Sequence, residues 1–144
     1  MFLVDTNILV YAVNRLSPFH KRCRGQLEGW RRQASAWYVT WGICHEFLRV
    51  VTHPRVLRPP WPLGEGWRFL EALLAVPSLG MLVPTERHAR VAAELFEEMP
   101  HLAGNVLHDA ATAVLMREHS IKTIYTRDAD FHRFAFLEPV DPVA

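Results

Sequence analysis

Four carboxylates stand out by their surroundings. Asp5 follows at once on the apolar run Phe2–Val4. Glu46 lies mid-helix at helical spacing from Ile43 and Val50. Asp109 shares a stripe with Val106, Ala113 and Met116, and Asp128 follows Ile124–Thr126 with Asp130 close behind. A carboxylate on a core-facing stripe is costly unless it is paired or binds a metal, and spacing forces no basic residue onto Asp5 or Asp109. If these acids meet, two unit charges ~4 Å apart repel by roughly 4 kcal/mol at an effective dielectric of ~20. A divalent cation removes that repulsion. Oxygen donors without thiolate or imidazole favour Mg²⁺ or Mn²⁺ over Zn²⁺. Such an ion suits phosphodiester chemistry, because it can hold a phosphate oxygen and lower the pKa of a water.

Each acid also has a plain structural alternative. Asp5 reads as a helix N-cap, Glu46 as an exposed helix residue paired with Arg49, Asp109 as a group reaching solvent at the stripe's edge, and Asp128 as a turn or N-cap residue. The joint pattern, not any single spacing, carries the metal reading.

The elements that must position these groups follow from periodicity and punctuation. Strands are expected at Phe2–Val4, Ala36–Thr40, Met81–Val83 and Lys122–Thr126, with a further edge strand within Phe134–Val140. Helices are expected after the Asp5/Thr6 cap, from Ser17-Pro18 to about Gln33, from Trp41 to about Thr52, from Gly64 to about Val76, from Glu86 to Glu98 behind a Thr85 cap, and from Gly104 to Ser120. Asp128–His132 makes one short helical turn. His53-Pro54 and Arg58-Pro59-Pro60-Trp61-Pro62 break regular structure. Strands separated by helices imply a parallel sheet with helices on both faces. Ligands of such sheets bind beyond the carboxyl ends of the strands, where Asp5 and Asp128 both fall.

The 144 residues suggest one domain over 1–144, long enough for a core without disulfides. Half the residues are hydrophobic, a globular composition. Cys23 and Cys44 lack metal-like or redox spacing and read as reduced, apolar residues; the eight histidines form no zinc-like pairing with them. The opening run has no basic leader and is interrupted by Asp5, so it does not read as a signal peptide. No apolar stretch reaches the roughly 18 residues that span a bilayer, and the expectation is a cytoplasmic protein without membrane contact. The formal charge of +1 gives no global signal for nucleic acid, so the question becomes where the charges sit.

In order along the chain, Val4-Asp5-Thr6-Asn7-Ile8-Leu9, Glu46, Asp109-Ala110 and Thr126-Arg127-Asp128-Ala129-Asp130-Phe131 resemble the acidic motifs of the PIN-domain family. The compact form resembles VapC, the toxin half of VapBC toxin–antitoxin pairs, and Phe47–Pro62 is similar to its mycobacterial-type branch. The resemblance implies a three-layer α/β/α sandwich with a central parallel sheet of four to five strands. It also implies a Mg²⁺- or Mn²⁺-dependent endoribonuclease that hydrolyses RNA, forms a homodimer and is neutralised by a cognate VapB-type antitoxin. Asp5, Glu46, Asp109 and Asp128 would surround the metal, Asp130 would be an outer ligand, and Asn7 and Thr126 would orient acids or water.

For gripping RNA, Arg49, His53, Arg55 and Arg58 form a basic patch near Trp61, and Arg127 and Arg133 flank the last acids; a solvated basic loop is the alternative. Arg22, Arg24, Arg31 and Arg32 read as a solvated helix face. Trp30, Trp37, Trp41 and Trp67 read as core or dimer contacts rather than base-stacking residues. His45 and His108, each beside an acid, point about 100° away on a helix and read as bystanders.

Three rivals remain. One is a housekeeping PIN nuclease of RNA processing. The second is a phosphoryl-transfer α/β domain, weakened because residue 7 is Asn where a phosphatase of that class needs a second aspartate. The third is a non-catalytic interaction module.

Overall fold

Five short strands, all parallel, form the central sheet. A computed structural model describes residues 1–144. The strands are β1 (Phe2–Val4), β2 (Trp37–Thr40), β3 (Leu79–Leu82), β4 (Thr123–Tyr125) and β5 (Glu138–Val140). They lie in the order β3-β2-β1-β4-β5, every neighbouring pair parallel. The helices are α1 (Thr6–Val13), α2 (His20–Arg32), α3 (Trp41–Val51), α4 (Leu63–Leu74), α5 (His88–Glu98) and α6 (Val106–Glu118), and a 3-10 turn covers Ala129–Arg133. From β1 the chain moves outward through β2 to β3, then returns past β1 to β4 and β5. Right-handed crossovers therefore place α1–α4 on one face and α5–α6 on the other, which makes the three-layer sandwich. The direction reverses between β1 and β4, and that switch point is where the fold opens a crevice.

Burial explains the central strand. Leu3 and Val4 of β1 and Ile124 of β4 are fully buried, as expected of strands covered on both faces. Beside them, Phe2, Trp30, Trp37 and Tyr125 form one aromatic cluster with ring centroids 4.8–6.4 Å apart. The Trp37 indole N–H donates to Ser78 Oγ at 2.9 Å, so its polar edge is satisfied. On the α face, Phe47 of α3 is fully buried and stacks on Phe69 of α4 at 5.1 Å. Trp61 packs edge-on against both rings, partly buried as part of this apolar layer.

Element boundaries differ from expectation where one side chain overrode the pattern. β3 begins at Leu79, not Met81, because Gly80 hides it from a hydrophobic pattern. Tyr38 is the register partner of Gly80, and a Cβ there would lie 2.7 Å from the Tyr38 ring. Val83, expected in this strand, is 45 % exposed. The edge strand contracts to Glu138–Val140, because Phe134 is fully buried against Phe131 at the end of the 3-10 turn. Ser17 does cap the approach to α2, accepting from the Phe19 N–H at 3.1 Å, but the helix proper starts at His20. Cys23 and Cys44 are free and buried. No helix is long and apolar enough to cross a membrane.

Candidate active site

Asp5 sits one residue beyond β1, and its backbone N–H continues the sheet by donating to Tyr125 O at 3.0 Å. It is also the N-cap of α1, with its side chain accepting from Thr6 N at 2.8 Å. The capping alternative and the site reading thus describe one residue doing both. Its other oxygen accepts from Thr126 Oγ1 at 2.7 Å and from Asn7 Nδ2 at 3.1 Å. Thr126 Oγ1 in turn accepts from Asn7 Nδ2 and from the Asp128 N–H, while Asn7 Oδ1 accepts from the Arg127 N–H. One hydroxyl therefore ties the end of β1 to the end of β4 and holds the Asp5 carboxylate in place.

The other acids arrive from three further elements. Asp128 caps the 3-10 turn by accepting from the Asp130 N–H at 2.9 Å. Asp109 lies in the first turn of α6, above the buried Ala113 and Met116. Gly104, with φ +67°, makes the left-handed turn into that helix that other residues resist. Glu46 projects from the middle of α3; its side chain is 47 % exposed and 4.0 Å from Arg49. It is therefore a rim residue, not the core-facing one that its stripe suggested, and the pairing with Arg49 is present. Asp5, Glu46, Asp109 and Asp128 line one cavity of about 260 Å³ together with Thr6, Asn7, Tyr11 and Val50. The tightest grouping is Asp109, Asp128 and Asp130, which each bring one carboxylate oxygen within 4.8 Å of the others. Arg133 also approaches Asp130, at 3.4 Å.

Electrostatics mark the same residues. Burial pushes the Asp5 carboxyl up to about 6; hydrogen bonds from Thr126 and Thr6 oppose the shift, and the charges of Glu46 and Asp128 add to it. Asp109 is pushed up to about 7 by burial and then by Asp128, Asp5, Asp130 and Glu46. All five acids thus interact through space, and without a counter-charge this crowding favours the protonated forms of Asp5 and Asp109. The donor set fits a hard divalent cation, since the triad offers carboxylate oxygens alone. The Thr6 hydroxyl is buried without a protein partner.

The expected RNA contacts separate. Arg49 is 72 % exposed and lines a wide polar groove of about 800 Å³ with Glu46, Asp109, Asp128 and Asp130. Arg55 and Arg58 are exposed on the α3–α4 loop, whose Val56 borders the acid cavity. Arg127 is occupied elsewhere: its guanidinium donates to both oxygens of Asp141 and lies 3.9 Å above the Phe19 ring. That anchoring of the C-terminal segment argues against a phosphate contact. Three residues that sequence reasoning set aside border the site. His45 and His108 line the wide groove, because a groove of that width exposes helix positions 100° apart. Trp41 lines another cavity next to Asp5, Glu46 and Asp109. Its position directly after β2 was the available signal, for that is the ligand-binding end of the sheet.

Comparison with known proteins agrees with this fold. The PIN domain family matches residues 2–137. The chain is 30% identical to Ribonuclease VapC48 of Mycobacterium tuberculosis over 138 residues, covering 96% of this chain and 94% of that one. Two solved structures share the fold. One is VapBC2 from Rickettsia felis bound to a promoter DNA fragment, with TM-score 0.67, 18% identity and 96% coverage of both chains. The other is Mycobacterium tuberculosis VapC20, a sarcin–ricin loop cleaving toxin, with TM-score 0.65, 17% identity, and 96% and 98% coverage. With its five-stranded parallel sheet, its acids gathered at the switch point and these relatives along nearly its whole length, the chain belongs to the PIN domain family, among the VapC ribonucleases.

Proposed function

We propose that this chain is a divalent-metal-dependent endoribonuclease, the toxin half of a toxin–antitoxin pair, in which Asp5, Glu46, Asp109, Asp128 and Asp130 serve a Mg²⁺ or Mn²⁺ ion. The observation that carries the reading is the lining of one cavity by Asp5, Glu46, Asp109 and Asp128, drawn from four separate elements. A bound ion would neutralise the scissile phosphate and lower the pKa of a water. Asp109, Asp128 and Asp130 form the tightest oxygen cluster and would hold that ion. Asp5 would complete its surroundings, kept in one orientation by Thr126 and Asn7; such support characteristically sharpens a metal site. Glu46, on the exposed rim, would help to take a proton from the attacking water. Arg49, and Arg55 and Arg58 beyond it, would meet flanking phosphates. The ribonuclease relatives support the substrate class, and the VapBC likeness supports control by a VapB-type antitoxin.

The test is cleavage of RNA by purified protein with Mg²⁺ or Mn²⁺. Asp5→Asn and Asp109→Asn are each expected to abolish cleavage while the circular dichroism spectrum stays that of the wild type. Full activity in either variant would reject the assignment.

A further inference from the structure

Trp41 opens α3 immediately after the last residue of β2. Its indole is 43 % exposed, whereas Trp37, one helical turn's length earlier in sequence, is fully buried. An indole is among the largest apolar groups a chain can hide, so one left open beside a charged site calls for a ligand. Trp41 walls a cavity of about 330 Å³ with Leu82, Pro84 and Leu115, and the same cavity reaches Asp5, Glu46 and Asp109. That volume stands at the low end of ligand pockets, which span roughly 300–1,000 Å³, and suits one nucleobase. The His45 ring follows one turn on, its centroid 6.1 Å from the indole. The hydroxyl of Thr40, also on the wall, is engaged in capping α3 through Ile43 N at 3.0 Å. The slot thus has an apolar wall of Trp41, Leu82, Pro84 and Leu115 facing a polar side of His108, Thr112 and three acids, and it shares those acids with the cavity where a phosphate would sit.

On the ribonuclease reading, we propose that Trp41 is a stacking platform for the nucleobase next to the scissile phosphate, holding that nucleotide beside the acids. Splayed bases commonly stack on aromatic side chains, and such stacking is tolerant of base identity, so the slot positions a nucleotide without reading its sequence.

The experiment is steady-state cleavage of a labelled single-stranded RNA with a mapped cut site, and of the same RNA carrying an abasic nucleotide on either side of the cut. Trp41→Ala is expected to raise KM for the intact RNA about tenfold, in line with a base–aromatic stack, with a smaller change in kcat; Trp41→Phe restores most of it. One abasic position raises the wild-type KM by a similar factor and adds nothing in Trp41→Ala. Trp67→Ala, on α4 and 39 % exposed but outside these cavities, leaves KM unchanged. A wild-type KM in Trp41→Ala overturns the proposal, and is the result expected if the slot instead receives a side chain of a partner protein. An abasic penalty that persists undiminished in Trp41→Ala overturns it too. Absence of cleavage by wild type would count against the ribonuclease reading itself. Anisotropy binding of the same RNA to wild type and Trp41→Ala in Mn²⁺ then decides the stacking alone, equal affinities overturning it.

Discussion

At the scale of single residues, the acids' protonation carries a signed consequence for stability. Asp109 is raised from 3.8 to about 7 and Asp5 to about 6, so the metal-free folded protein binds these protons more tightly than the unfolded chain. Both groups favour the fold at acidic pH, and that contribution is lost as pH rises from about 4 through 6 to 7. Asp109→Asn removes the larger shift. Its metal-free form is expected to be more stable than wild type at pH 7.5 by about 1–2 kcal/mol, discounted for the partial solvent screening of Asp109. Its melting temperature should also vary less between pH 5 and 7.5. Urea and thermal melts in chelator measure both; a variant less stable than wild type under those conditions would contradict the crowding of charge inferred here.

At the scale of elements, α5 and α6 are joined by a buried carboxylate that plays no part in the site. The Glu118 side chain is fully buried; it accepts from Thr85 N, just before α5, and lies 2.6 Å from His88 Nδ1 in that helix. Burial alone would raise its pKa, but the hydrogen bonds from Thr85 and His88 prevail and hold the carboxyl down at about 2. Because this folded-state pKa lies below the ordinary 4.5, the stabilisation is present above about pH 4.5 and disappears as pH falls toward 2. Glu118→Ala is expected to cost on the order of 2–3 kcal/mol at pH 7, with the gap to wild type closing below pH 4 in denaturant titrations. The α3–α4 loop makes a second prediction at this scale. If Arg55 and Arg58 each meet a phosphate, replacing both with Ala should reduce the slope of log affinity against log salt by about 1.4 for single-stranded RNA. Arg127→Ala should leave that slope alone and lower stability, because Arg127 is held by Asp141 and Phe19.

For the whole molecule, the near-neutral charge conceals segregation. Five of the fifteen acidic residues gather at one end of the sheet, so the remaining surface is net basic. A polyanion is then attracted by the body of the protein and repelled by its active site until a cation occupies the acids. Metal binding and stability are coupled accordingly. At a hundredfold excess over its Kd, Mn²⁺ should stabilise the protein by about 2.7 kcal/mol. The midpoint of that titration, followed by thermal shift, should move to higher metal concentration as pH drops from 8 to 5.5, since protons on Asp109 and Asp5 must first leave. A midpoint indifferent to pH would mean that the ion binds away from these two carboxylates.

The order of strands and helices, the parallel sheet and the four acids that meet in one cavity were legible in the chain. Alternation of apolar runs with helical stripes encodes elements locally, and a carboxylate at the end of a buried strand has few reasons to be there. Properties that depend on distance between elements were not legible. The proximity of Asp130 to Asp109 and Asp128, the rim position of Glu46, the diversion of Arg127 to Asp141, and the opening of Trp41 onto the cavity beside the acids were settled by packing across the β1–β4 switch point. Gly80 makes the same point inside the fold: as a letter it weakens a strand, yet next to Tyr38 it is what lets the strand pair. Periodicity specifies which side of its own helix or strand a side chain occupies, while its charge state and partners depend on what other elements bring within a few ångströms.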